Sequence, residues 1–225
     1  MSLQQSKAVS ATVHFAGGSL AKRLGMAVHK RKPVFKIDIS EAVSGGGILE
    51  STDGRNNVPI KMENLRNVQN LVLWIGTNDF FAHTKEKQHT KSFKIYSNRD
   101  QRKQFGKQLD ELLENFNGDN VWIIGLIPRY VNISCCEDHQ PDQVMINRIM
   151  EFTKTINIQL SKKANYFHKN NKTVMYINPE DLACQNSSID WKAALAKDSI
   201  HLSNSTNSEC AKNIIQLISN HLIGD

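Results

Sequence analysis

The sequence contains no apolar run of about 18 residues or more, which excludes an ordinary membrane-spanning helix. Its opening, MSLQQSKAVSATVHF, lacks the apolar stretch and small-residue cleavage site of a secretory signal. The expectation is a soluble, intracellular, cytoplasmic protein, although so abrupt a start also suits a piece cut from a longer chain. The sequons at Asn132, Asn171, Asn186 and Asn204 are then incidental. The four cysteines, Cys135, Cys136, Cys184 and Cys210, form no C-x-x-C pair and no zinc-ligand spacing, so reduced thiols are expected. The eight histidines are scattered and form no cluster with Asp or Glu at ligand spacing, so neither a metal nor another cofactor is expected. Internal repeats and low-complexity tracts are absent as well.

What is present suits one core. A chain of 225 residues, 40% of them hydrophobic, is expected to form a single domain over 1–225, with residues 1–10 flexible. Five short apolar runs rich in β-formers recur: Val13–Phe15, Val34–Ile39, Leu71–Ile75, Val121–Leu126 and Val174–Ile177. Three are nearly continuous rather than alternating, as in strands covered on both faces. Helical spacing links Phe105, Leu109, Leu112 and Phe116, then Met145 to Leu160, then Ala211 to Leu222. Alternating strands and helices predict an α/β protein with a mainly parallel five-stranded sheet between helix layers, its site at the carboxyl ends of the strands. The long polar connections are Gly45–Asn67, Phe81–Asp100 and Ser134–Asp142.

The residues able to carry chemistry follow those strands. Gly17-Gly18-Ser19 opens a helix after the first strand. Such a turn offers free N–H groups to an oxyanion and a hydroxyl as nucleophile, but serine is also a common helix cap. After the second strand comes VSGGG, Val43–Gly47, where a backbone N–H can approach a ligand or simply make a turn. After the third comes GTND, where Asn78 either aims its amide at a developing negative charge or serves the turn itself. Near the C-terminus, Asp198 stands three residues before His201. That spacing suits an imidazole base oriented by a carboxylate, and equally an exposed pair ahead of a capped helix.

In this order, GGSL, VSGGG, GTND and DSIH resemble the four blocks of the SGNH, or GDSL-type, hydrolases over Val13 to about Leu222. The resemblance implies a flavodoxin-like α/β/α sandwich and hydrolysis of a small carboxylic ester by an esterase, lipase, thioesterase or deacetylase. It makes Ser19 the nucleophile, His201 the base and Asp198 its orienting acid. Ser19 N–H, Gly45 N–H and the Asn78 side chain become the oxyanion hole, with VSG favouring Gly45 over Gly46. The family's first block usually reads Gly-Asp-Ser; here Gly18 stands at the middle position, which is not a triad member.

The formal charge of +6 is concentrated in one window. Between Lys85 and Lys107 eight basic residues face two acidic ones, and the rest of the chain holds twenty of each. Lys91, Lys94, Arg99, Arg102, Lys103 and Lys107, interleaved with Phe93, Tyr96 and Phe105, suit RNA or another polyanion, or merely a solvated face over a basic loop at 81–100. The resemblance extends to the C-terminal domain of Oskar, an SGNH-like domain that lacks the enzymatic residues and binds RNA, which supplies the alternative of a weak or inactive hydrolase scaffold that binds RNA; the esterase domains of some retroelements are a second intracellular branch with nucleic acid nearby.

Overall fold

The computed structural model describes residues 10–50, 57–85, 91–95, 98–129, 143–170, 172–184, 189–196 and 200–224. Its centre is a five-stranded, wholly parallel sheet in the order β2-β1-β5-β8-β9. The strands are β1 (Thr12–Gly17), β2 (Lys36–Asp38), β5 (Asn70–Trp74), β8 (Asn120–Ile124) and β9 (Thr173–Ile177). Every residue of β5 and β8 is buried, which explains their continuous apolar sequence. The edge strand β2 is shorter than the apolar run predicts: only three residues pair, and Val34 is exposed while Phe35 turns into the core.

Helix α1 (Ser19–Lys30) joins β1 to β2, and the chain then reverses across β1 to reach β5, β8 and β9. Right-handed crossovers therefore put α1 on one face of the sheet, and α3 (Arg99–Asn115) and α4 (Gln143–Lys169) on the other. The last helix, α7 (Asn204–Ile223), packs beside α1. Each helix presents an apolar stripe inward: Leu20, Leu24 and Val28 on α1, Ile149, Phe152, Ile156 and Leu160 on α4, and Ala211, Ile214 and Ile218 on α7. Two small helices, α5 (Pro179–Ala183) and α6 (Trp191–Ala194), lie between β9 and α7. Among the described residues no helix is long and apolar enough to cross a membrane.

The segment Phe81–Asp100 is not the continuous loop expected. Strands β6 (Phe81–Lys85) and β7 (Lys91–Ile95) pair antiparallel, and α3 begins at Arg99 behind an Asn98 cap whose side chain accepts from Gln101 N at 2.7 Å. The sequence Ser-Phe-Lys-Ile has the two-residue period of a strand, but its charge disguises it. The short strands β3 (Gly46–Gly47) and β4 (Val58–Pro59) similarly structure part of the Gly45–Asn67 connection. Residues 1–9 and the whole of Ser134–Asp142 lie outside the described residues.

A polar chain ties the amino ends of the strands together. Asn120 Nδ2 donates to Asn70 Oδ1 at 2.8 Å, and Asn70 Nδ2 to the Thr12 carbonyl at 3.2 Å. Asn120 Oδ1 lies 2.7 Å from His221 Nε2, so the imidazole must be the donor there. Asn120→Ala leaves both neighbours without this partner, so a loss of about 1–3 kcal/mol is expected. Urea unfolding should show a lower midpoint at unchanged slope; an unchanged midpoint would remove this chain from the stability account.

Candidate active site

Strand β1 ends where its backbone must meet a second loop. Val43 N donates to the Gly17 carbonyl at 3.0 Å, and Gly17 N to the Glu41 carbonyl at 3.2 Å, so the glycine-rich loop is laced to the strand end. Gly18, not Ser19, occupies the cap position of α1, and it contributes no side-chain bond. Ser19 is thus the first helical residue, and the cap interpretation of its hydroxyl fails. Its Oγ instead lies 2.9 Å from His201 Nε2, across a sequence separation of 182 residues.

His201 is held by a short antiparallel bridge. Leu195 pairs with Leu202, Ala196 N donates to the His201 carbonyl at 2.7 Å, and Ser203 N to the Ala194 carbonyl at 2.8 Å. Ser203 then caps α7. Helices α1 and α7 are stitched side by side, with Asn207 Nδ2 on the Arg23 carbonyl at 3.2 Å and the Arg31 guanidinium on the carbonyl and hydroxyl of Ser208 at 3.0 and 2.8 Å. Both partners of the Ser19–His201 contact are therefore fixed through one helix pair. Asp198 lies outside the described residues.

The third expected block stands opposite. A short helix, α2 (Thr77–Phe80), follows β5, and the Asn78 amide donates to the Gly46 carbonyl at 2.8 Å. A side chain at residue 18 would place its Cβ 2.6 Å from that amide nitrogen. The space the family's usual aspartate would enter is therefore bordered directly by the Asn78 side chain, which links the Gly18 departure to the position of Asn78. Gly46 N is spent on the Val43 carbonyl at 3.0 Å, whereas among the described residues Ser19 N and Gly45 N have no acceptor. Of the two glycines, Gly45 is the one with a donor to spare.

One residue that the sequence reading passed over organises this end of the sheet. Asp79 is fully buried. Its Oδ1 accepts from Ile48 N at 3.0 Å, Leu49 N at 2.8 Å and Asn57 Nδ2 at 3.2 Å, while its Oδ2 accepts from Gly76 N at 2.8 Å. The carboxylate thereby binds the glycine-rich loop to the turn that carries Asn78. Gly47 permits the approach: a Cβ there would sit 2.6 Å from Asp79 Oδ1. The available signal was a carboxylate directly after Asn78, behind a wholly apolar strand.

The basic window takes a different form from a stacking platform. Lys91 and Lys94 lie on β7, and Arg99, Arg102, Lys103 and Lys107 on the first half of α3. Phe105 is a core residue, its ring 4.8 Å from that of Phe80, because it shares the apolar stripe of Leu109 and Leu112. Tyr96 lies outside the described residues. Lys107 pairs with Glu111 at 3.6 Å on an exposed helix surface, an arrangement of small energetic weight.

A sequence model described as GDSL-like Lipase/Acylhydrolase matches residues 13–214. The chain belongs to the GDSL-like lipase/acylhydrolase family. Solved structures of similar shape include a GDSL-like lipase from Bacteroides thetaiotaomicron, at 13% identity and a TM-score of 0.53, with 98% of this chain and 91% of that one covered. A "putative acylhydrolase" from Bacteroides fragilis aligns at 13% identity and 0.54, covering 97% and 94%. A "putative arylesterase" from Agrobacterium tumefaciens aligns at 12% and 0.54, covering 93% and 98%. At these identities the likeness is one of fold, and the five-stranded parallel sheet with its helices is the GDSL fold. No curated protein matches the chain in sequence. Neither the family nor these neighbours lend support to an RNA partner.

Proposed function

We propose that this GDSL-family chain is a single-domain serine hydrolase of small carboxylic esters. The observation that carries the reading is the 2.9 Å approach of Ser19 Oγ to His201 Nε2. A hydroxyl is a weak nucleophile at neutral pH, and an adjacent imidazole removes that limit by accepting its proton as the bond to carbon forms. In this mechanism Ser19 Oγ attacks the acyl carbon and His201 Nε2 takes the proton. The tetrahedral intermediate collapses as His201 protonates the departing alkoxide, and a water activated by the same ring then releases the acid. Asp198 is assigned the role of orienting the ring.

The negative charge developing on the carbonyl oxygen needs fixed donors. Ser19 N and Gly45 N, which have no acceptor among the described residues, together with the Asn78 amide, are assigned to it. Asn78 Nδ2 carries two protons, so its bond to the Gly46 carbonyl uses one and leaves the second for substrate. Asn78→Ala is expected to lower kcat for p-nitrophenyl acetate by roughly 10²–10³-fold, the usual effect of losing one such donor. Steady-state kinetics of wild type and variant check this, and equal kcat values would take Asn78 out of the mechanism. Absence of turnover by the wild type would overturn the hydrolase reading.

A further inference from the structure

The two edges of the sheet differ. Strand β2 pairs over three residues and carries Lys36 and Asp38, the short charged form with which proteins discourage further pairing. Strand β9, at the other edge, runs for five residues as Thr-Val-Met-Tyr-Ile, without a charge or a proline. A groove of about 550 Å³ lies between it and α7, lined by Met175, Tyr176, Leu217 and His221 among others.

The backbone along that edge holds a fixed set of spare groups. Alternate residues of a parallel strand turn their N–H and C=O to the same side. The Ile177 carbonyl accepts from Gly125 N at 3.0 Å, so Thr173, Met175 and Ile177 face β8, while Val174 and Tyr176 face outward. Asn178 continues the extended backbone and faces outward as well. Two outward groups are already engaged: Val174 N donates to the Lys172 carbonyl at 2.9 Å, and the Asn178 carbonyl accepts from Leu182 N at 3.2 Å. The Val174 carbonyl, the N–H and carbonyl of Tyr176, and Asn178 N remain without a partner among the described residues.

We propose that a second copy of this chain pairs antiparallel with this edge about a two-fold axis at Tyr176, joining the two sheets into one. Tyr176 then stands opposite itself, Val174 opposite Asn178, and Lys172 opposite Glu180. The Tyr176 N–H of each copy donates to the Tyr176 carbonyl of the other, and Asn178 N donates to the Val174 carbonyl. These bonds use every spare group on both copies, and the two engaged groups, Val174 N and the Asn178 carbonyl, meet each other. An axis at Met175 would instead set the Tyr176 carbonyl against the engaged Val174 N.

The charges at the two ends of the strand are complementary in the same sense. Before β9 stand His168, Lys169 and Lys172, and after it Glu180 and Asp181. Antiparallel pairing sets the basic end of each copy against the acidic end of the other. Lys172 is fixed for this by its bonds to the Leu113, Glu114 and Phe116 carbonyls at the end of α3. A self-complementary edge of this kind is what a two-fold interface requires.

Sedimentation equilibrium, combined with hydrogen exchange read at single amides, tests the proposal. Wild type should pass from the mass of one chain to that of two as its concentration rises through about 1–100 μM, the strength of a transient interface. Exchange at the Tyr176 and Asn178 amides should slow by about tenfold or more over the same range. Glu180→Lys, at an exposed position, makes two attractive cross-strand pairs repulsive and should weaken the dimer by about tenfold. Met175→Lys, at a half-buried position, puts a lysine of each copy beside the axis and should leave only monomer. Monomer at every concentration, with both amides exchanging fast, would leave the edge to some other strand and overturns the proposal. A dimer that Glu180→Lys leaves intact, or that protects other amides and not these two, overturns it as well. Slow exchange of both amides in the monomer would show that the chain itself covers this edge, which equally rules the pairing out.

Discussion

Ser19→Ala is expected to lower kcat/KM for p-nitrophenyl acetate by at least about 10³-fold, His201→Ala by a similar factor, and the double variant by little more than either alone. This non-additivity is the signature of groups that act as one unit: with the nucleophile gone the base has nothing to activate, and the reverse holds too. The reason lies in the 2.9 Å contact between the two side chains, brought together by strand β1 and the Leu195–Leu202 bridge. Residual hydrolysis would come from the oxyanion donors and binding alone. Additive losses in the double variant would mean that the two residues act separately, and the coupled mechanism would have to be abandoned. Melting curves of all three proteins should overlay, since Ser19 and His201 are only part-buried.

The second large effect concerns stability. Asp79→Ala deletes the acceptor of three backbone N–H groups and the Asn57 amide in a site closed to water. Buried donors left unpaired cost about 1–3 kcal/mol each; with partial relaxation the expected loss is about 3–5 kcal/mol, the upper range for one substitution. Asp79→Asn keeps the shape but presents an NH₂ group where an acceptor is required, and should fall between wild type and alanine. Because the carboxylate ties the turn of Asn78 to the glycine-rich loop, Asp79→Asn should also lower kcat more than it raises KM. Denaturant titrations measure the first effect and steady-state kinetics the second. Full stability in Asp79→Ala would show that the four bonds do not hold the two loops.

Most of the framework was legible because buried parallel strands leave an unmistakable pattern. Runs such as Leu71–Ile75 and Val121–Leu126 have no polar face to present, and the helices between them repeat apolar residues at three and four. What stayed hidden was structure whose stabilising partner is distant in sequence or whose composition is polar. The β6–β7 hairpin pairs residues rich in lysine, so charge masked a strand period. Phe105 was read both in the apolar stripe with Leu109 and Leu112 and among the basic window's aromatics, and the fold keeps the first reading, with its ring in the core against Phe80. Asp79 reads locally as a turn residue; only the folded positions of Ile48, Leu49 and Asn57 reveal the donors it serves.

The candidate site shows the same division. Ser19, Gly45, Asn78 and His201 were named through the resemblance carried by four ordered blocks, and the described residues of all four are brought to one end of the sheet. Local sequence left the Ser19 hydroxyl equally suited to a cap, and the distinction came from Gly18 taking the cap position. Gly45, which the VSG sequence favoured, is set apart from Gly46 by the turn that consumes Gly46 N.

The central claim is that His201 activates Ser19 as a nucleophile, and covalent labelling tests it most directly. Wild type incubated with a fluorophosphonate should gain one phosphonyl group, found by peptide mass spectrometry on Ser19, and His201→Ala should react far more slowly. Labelling on another residue, or equal labelling rates with and without His201, would contradict the account.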